Sequence, residues 1–159
     1  KSIKFKESDV KPTGRDTMGV KGINLKGEDF VIAAETFEIT PDKPDDKRRK
    51  FFREILVVTE NGIGKRTAVS EYPSQNRGGQ GVKVAELSKK TGLIAAARMV
   101  TELDREVVIT TRGAQVIKLP LKNIKVLSRS TQGVILMRPA KGDLITSVTT
   151  LQDNSGEEE

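Results

Sequence analysis

The sequence contains no cysteine and no histidine. The first absence excludes disulfides and thiolate metal sites. The second removes the commonest general base and the commonest metal ligand, so most hydrolase and metalloenzyme chemistries lose their principal residues. Tryptophan is missing too, and aromatic residues make up only 4% of the chain, poor material for stacking unpaired bases. No run approaches the roughly 18 consecutive apolar residues of a membrane span. Lys1 to Lys6 lacks the apolar core of a signal peptide. These absences point to a soluble, cytoplasmic protein with no membrane partner.

What is present is charge. Among 159 residues, 28 Lys and Arg stand against 22 Asp and Glu, a net charge of +6 with a pI near 9.6. That balance favours a polyanionic partner. Asp153, Glu157, Glu158 and Glu159 gather at the end, so the body before them is more basic than the total. Residues 153–159 read as an acidic tail, either solvated or competing with phosphate for the basic surface.

The chain also repeats itself. Arginine, three residues, then Gly-Val occurs at Arg15 to Val20, Arg77 to Val82 and Arg129 to Val134. A turn glycine and an apolar pair follow each: Gly27 with Phe30-Val31, Gly92 with Leu93-Ile94, Gly142 with Leu144-Ile145. Strand-like runs Ile55–Thr59 and Val107–Thr111 lead into Gly62 and Gly113, 15 and 16 residues ahead of their arginines. The same count back from Arg15 falls just before Lys1, which suggests a fragment that starts inside a repeat. A period of about 50 residues, rich in Val, Ile and Thr, fits a propeller-like array of antiparallel sheets better than helical repeats. The expected fold is all-β over residues 1–152, in three four-stranded blades at about 1–40, 55–104 and 105–152, the first incomplete. Ala95-Ala96-Ala97 favours helix residue by residue, but the sister segments Phe30 to Ala34 and Leu144 to Thr150 read as strands, and so does Leu93 to Leu103. Residues 41–54, with two prolines and Lys47-Arg48-Arg49-Lys50, read as a connecting loop.

The stretch Thr59 to Tyr72 (TENGIGKRTAVSEY) resembles a characteristic segment of the C-terminal domain of the DNA gyrase A subunit. Phe5 to Val10 with Thr17 to Ile23 resembles an earlier blade, and Gly113 to Pro120 with Arg129 to Val134 its last blade. Gln75-Asn76-Arg77-Gly78-Gly79-Gln80-Gly81 is similar to the family's box, Q-R-R-G-G-K-G, at five of seven positions. Asn76 and Gln80 stand where the box has cations, as in a degenerate sister copy. The resemblance implies a β-pinwheel whose basic rim bends duplex DNA, making this chain roughly the last three blades. The partners implied are double-stranded DNA, the rest of the gyrase A subunit and the gyrase B subunit. No cofactor is expected here, with ATP and Mg belonging elsewhere in the holoenzyme, and no catalytic residue either. The topoisomerase IV A-type subunit and a propeller-like protein-interaction module are the alternatives.

Wrapping DNA without reading its sequence needs spaced cations and donors facing phosphate. The candidates are Arg15 with Lys21, Arg77 with Lys83, Arg129 with Arg138, and Lys65-Arg66. Gly78, Gly79 and Gly81 would bring backbone N–H groups close to a phosphate or simply shape a turn. Tyr72, the single tyrosine, has no activating base or carboxylate cluster beside it in sequence and reads as a packing residue. Gly62 to Thr67 lacks both the first glycine and the Ser/Thr of a P-loop.

Overall fold

The computed structural model describes residues 1–37 and 53–152. The expected loop at 41–54 lies outside these residues up to 52, and the acidic tail lies wholly outside them. The loop's last two residues, Arg53 and Glu54, already belong to a strand.

Among the described residues seven strands are formed: β1 (Arg53–Thr59), β2 (Ile63–Ala68), β3 (Ile94–Thr101), β4 (Asp104–Thr111), β5 (Val116–Pro120), β6 (Val134–Ile135) and β7 (Ile145–Gln152). Three single 3-10 turns punctuate them at Glu7–Asp9, Val69–Glu71 and Leu121–Asn123. The described residues contain no helix long and apolar enough to cross a membrane.

One sheet runs β3-β1-β2-β6 and the other β5-β4-β7, every pairing antiparallel. β3 shows why the alanine run is a strand. It pairs with β1 from Arg53↔Thr101 to Thr59↔Ile94, and a full ladder outweighs the few tenths of a kcal/mol per residue by which alanine favours helix.

The repeat is kept to the residue. The two offsets that carry Arg15 to Arg77 and Arg77 to Arg129, which differ in length, also superimpose the three 3-10 turns on one another and β5 on β2 and on residues 2–6. They explain the cross-repeat contacts as well. β6, from the third repeat, pairs with β2 of the second through Gly64↔Val134. At the equivalent place one repeat earlier, Val82 bridges Ser2. Arg66↔Val126 and Lys4↔Ser74 form matching parallel bridges. The second and third repeats thus each lend a short donor segment to the outer edge of the repeat before.

The all-β pinwheel reading holds, with corrections to its blades. Among the described residues the β3-β1-β2-β6 sheet of the second repeat has four strands, one of them borrowed from the third repeat, and the β5-β4-β7 sheet of the third repeat has three. Residues 1–37 contribute isolated bridges but no strand, so Phe30 to Ala34 is not one. The physical reason is pairing: β3 and β7 each lie against the first strand of their own repeat, and among the described residues Phe30 to Ala34 has no such neighbour. The turn equivalent to Gly62 also departs from expectation. Its left-handed residue is Ala114 (φ 64°), not Gly113.

The main core lies between the two sheets. Leu56, Val58, Val100, Val107, Ile109, Leu121, Ile124, Met137, Ile145 and Val148 form one buried cluster, in which alternate residues of β1 and β4 point inward. A smaller cluster of Tyr72, Val84 and Ala85 sits beneath the second donor segment. Tyr72 is a packing residue, 4% exposed, and burial raises its pKa above the ordinary tyrosine value.

Candidate nucleic-acid interface

The three arginine turns occupy equivalent places, but their surroundings differ. Arg77 Nε donates to the Asp9 carbonyl (2.9 Å) and Nη1 to the Lys21 carbonyl (3.1 Å). Arg129 Nη1 donates to the Lys83 carbonyl (2.5 Å), and Lys83 is the repeat equivalent of Lys21. Each of these arginines therefore ties its own turn to the donor segment of the repeat before. Arg15 is exposed and has no such acceptor among the described residues. A guanidinium offers five donors in a fixed fork, so Arg77 and Arg129, both half-exposed, keep their charge and further N–H groups while acting as staples.

The box-like loop Gln75–Gly81 is engaged in the same way. Gln75 N donates to the Lys4 carbonyl (2.7 Å), Gly78 N to the Gly22 carbonyl (2.6 Å), and the Gly79 carbonyl accepts from Asn24 N (2.8 Å). Gly81 has φ 67°, and a Cβ there would lie 2.2 Å from the Ser2 carbonyl oxygen. These glycines serve close backbone approach between repeats. The expectation that the Gly78 N–H would face phosphate is corrected, because that group is already donated inside the protein. Asn76 and Gln80 are exposed and Gln75 is half-buried.

Lys65 and Arg66 are also corrected as surface candidates. Lys65 is 1% exposed. Its ammonium donates to the carbonyls of Ser128 (2.7 Å) and Arg129 (2.8 Å) and to Thr131 Oγ1 (3.3 Å). Burial lowers its pKa to about 8; Glu71 raises it and Arg129 lowers it further. Arg66 pairs with Glu54 at 2.7 Å, both side chains 11% exposed, while its Nε donates to the Ile124 carbonyl. Strand alternation splits these neighbours between two sides of β2, and both sides are covered by the third repeat.

The cations left toward solvent are Arg15, Lys21, Lys83 and Arg138, all exposed. Lys83 holds a surface ion pair with Glu86 at 2.7 Å, worth little in water. Two further exposed lysines, Lys11 and Lys125, stand at equivalent positions in the first and third repeats. Extending the repeat alignment upstream of the arginines would have found them. The same extension would have found Glu71, whose carboxylate accepts the Arg129 backbone N–H at 2.7 Å.

A family model described as "DNA gyrase C-terminal domain, beta-propeller" matches residues 1–38, 53–101 and 105–152. The chain belongs to this family. It is 38% identical over 151 residues to the A subunit of DNA gyrase from Staphylococcus epidermidis, covering 95% of this chain and 16% of that protein. With the DNA gyrase A subunit of Klebsiella oxytoca it shares 35% over 159 residues, 100% of this chain and 17% of that one. The chain thus spans about one sixth of these relatives' length. A solved gyrase A C-terminal domain superposes with a TM-score of 0.72 at 25% identity, covering 92% of this chain and 45% of that one. The C-terminal domain of DNA topoisomerase IV gives 0.77 at 22%, covering 93% and 42%, a likeness of fold alone.

Within the gyrase propeller fold, the staples make a stability prediction. Arg129→Ala and Arg77→Ala are each expected to lower stability by about 1–2 kcal/mol, the scale of a charge-assisted hydrogen bond at a partly exposed site. Arg15→Ala should change it by less than about 0.5 kcal/mol, as surface changes usually do. Urea midpoints of the three variants check this, and equal midpoints would show that the turns hold without their side chains.

Proposed function

We propose that this chain binds, bends and wraps duplex DNA without reading its sequence. It acts as part of the A subunit of a bacterial gyrase, an ATP-dependent type II topoisomerase that introduces negative supercoils. The reading rests on membership of the gyrase propeller family together with exposed cations on successive donor segments. Arg15 and Lys21 stand on the first, Lys83 on the second and Arg138 on the third. A row of cations carried by a repeat meets phosphates at intervals. Such contacts are indifferent to base identity and depend on counterion release. In this reading the partners are double-stranded DNA, the remainder of the A subunit and the gyrase B subunit, in the cytoplasm. The strand-passage chemistry, with its ATP and Mg, is performed elsewhere in the enzyme.

Fluorescence anisotropy with unrelated duplexes of several lengths tests the proposal. Affinity should be equal across sequences, rise with length and fall steeply with salt. The Arg15, Lys21, Lys83, Arg138→Gln variant should lose up to about 3.6 from the log-log salt slope, about 0.9 for each phosphate contact, with unchanged thermal stability. Retention of the parent slope on a long duplex would place the DNA on another surface. Absence of length-dependent binding in the parent would replace the proposal with a protein-docking role.

A further inference from the structure

The donor segments share a backbone path but not a charge. Glu86 N donates to the Thr131 carbonyl (3.2 Å), and Asn24 N donates to the Gly79 carbonyl (2.8 Å). Gly79 and Thr131 are repeat equivalents, so Asn24, Glu86 and, by the same offset, Arg138 occupy one position of successive segments. Lys21, Lys83 and Ile135 occupy the position three residues earlier. The side chains between the two positions turn inward, with Val84 7%, Ala85 5% and Met137 7% exposed. The flanking positions are thereby held at the surface, and all six residues there are exposed.

Over these two positions the first segment carries one positive charge, Lys21 beside Asn24, and the third carries one, Ile135 beside Arg138. The second carries none, because Glu86 stands beside Lys83. The cancellation is local: Glu86 Oε2 accepts from Lys83 Nζ at 2.7 Å. Among the described residues no carboxylate pairs with Lys21 or Arg138. The Arg129 guanidinium, held on the Lys83 carbonyl, brings a second cation to the same segment.

We infer that the Glu86 carboxylate stands in for a DNA phosphate on Lys83, making the second repeat's donor segment the weakest phosphate contact of the three and Glu86 the residue that limits DNA affinity there. The inference rests on the duplex binding proposed above. An exposed ion pair is worth little in water, so a phosphate can take the ammonium. The carboxylate it displaces then lies beside the DNA and recruits a cation of its own, which offsets the counterion the phosphate releases. Lys83 therefore supplies the smallest share of the salt slope for as long as Glu86 is present.

Fluorescence anisotropy on a long duplex, with the parent, Glu86→Gln, Lys83→Gln and the double variant, tests this. Glu86→Gln should bind about tenfold more tightly at about 50 mM salt and steepen the log-log slope by about 0.9, so that its advantage shrinks about 3.5-fold by about 200 mM. Thermal stability should not change, since the pair is exposed. In the Lys83→Gln background the gain from Glu86→Gln should fall below about twofold, because what remains is a screened charge with no lysine to release. A parent that binds DNA while Glu86→Gln brings neither gain nor a steeper slope overturns the inference and leaves the proposed function standing. An equal gain with Lys83 already removed also overturns it, as a general effect of net charge. A parent without length-dependent binding overturns the proposed function, and this inference with it.

Discussion

Lys65→Met should destabilise the chain by about 2–4 kcal/mol, the cost of stranding buried acceptors that a charged donor had satisfied. Methionine fills a similar volume, so the loss comes from hydrogen bonding and not from a cavity. The carbonyls of Ser128 and Arg129 and the Thr131 hydroxyl would lose the ammonium that reaches them from β2. These acceptors form the third arginine turn, so the loss loosens the contact between repeats together with the local strand. The pH dependence has a definite sign. Burial lowers the Lys65 pKa from 10.5 to about 8 in the folded chain. Between those values the unfolded chain binds a proton that the folded one has released. Stability contributed by this group therefore rises with pH across that window and is lowest below about pH 8. The neutral amine still has two hydrogens for the two short bonds, and the 3.3 Å contact to Thr131 is the one given up. Urea unfolding of both proteins from pH 7 to 10.5 checks the prediction. The stability gap should widen as pH rises, and a gap that narrows, or a variant as stable as the parent, would refute it.

How much of this is legible in the sequence depends on the range of the interaction. The arginine turns, the glycines near them and the all-β class are local or periodic properties, and they are visible in the repeat. β3 can be assigned against its alanine content because its sister segment in β7 is unmistakably β-branched. The destinations of the donor segments are not legible, since Val134 pairs with a strand of the preceding repeat and no local pattern encodes that edge. Lys65 is misplaced by sequence reasoning for a related reason. Lysine is almost never fully buried unless paired, and its partners lie more than 60 residues away in sequence. A signal does exist. The equivalent positions in the other repeats are Ile3 and Ile117, so an aligned repeat marks this position of the strand as inward-facing. Arg66, by contrast, aligns with Lys4 and Lys118, and its pairing with Glu54 cannot be told in sequence from a surface cation. The arginines are recognisable as a set, but the carbonyls that hold Arg77 and Arg129 belong to the repeat before. That is why a single turn read alone leaves staple and phosphate contact equally open.

Gly62→Ala is expected to cost about 3–5 kcal/mol, among the largest effects of any single methyl group in this chain. Two terms add. The residue has φ 77°, a conformation costing a non-glycine residue about 1–2 kcal/mol. The new Cβ would also lie 2.2 Å from the Met137 carbonyl oxygen and 2.9 Å from its carbon, backbone atoms that cannot rotate away. The Gly62 carbonyl accepts from Leu136 N (2.8 Å) and Met137 N (3.2 Å), so any shift that relieves the clash breaks the bonds that bring the third repeat onto β2. The chain supplies its own control at Ala114, the equivalent turn, where φ is 64° but no described segment crosses. There the conformational term acts alone, and Ala114→Gly should change stability by no more than about 1 kcal/mol, since relief of the left-handed alanine is partly offset by the entropy of the unfolded glycine. Thermal and urea unfolding of the two variants separate the terms. If Gly62→Ala proved as mild as the Ala114 exchange, the crossing segment would not be packed on this turn, and the strand that the third repeat lends to the second would lose its main support.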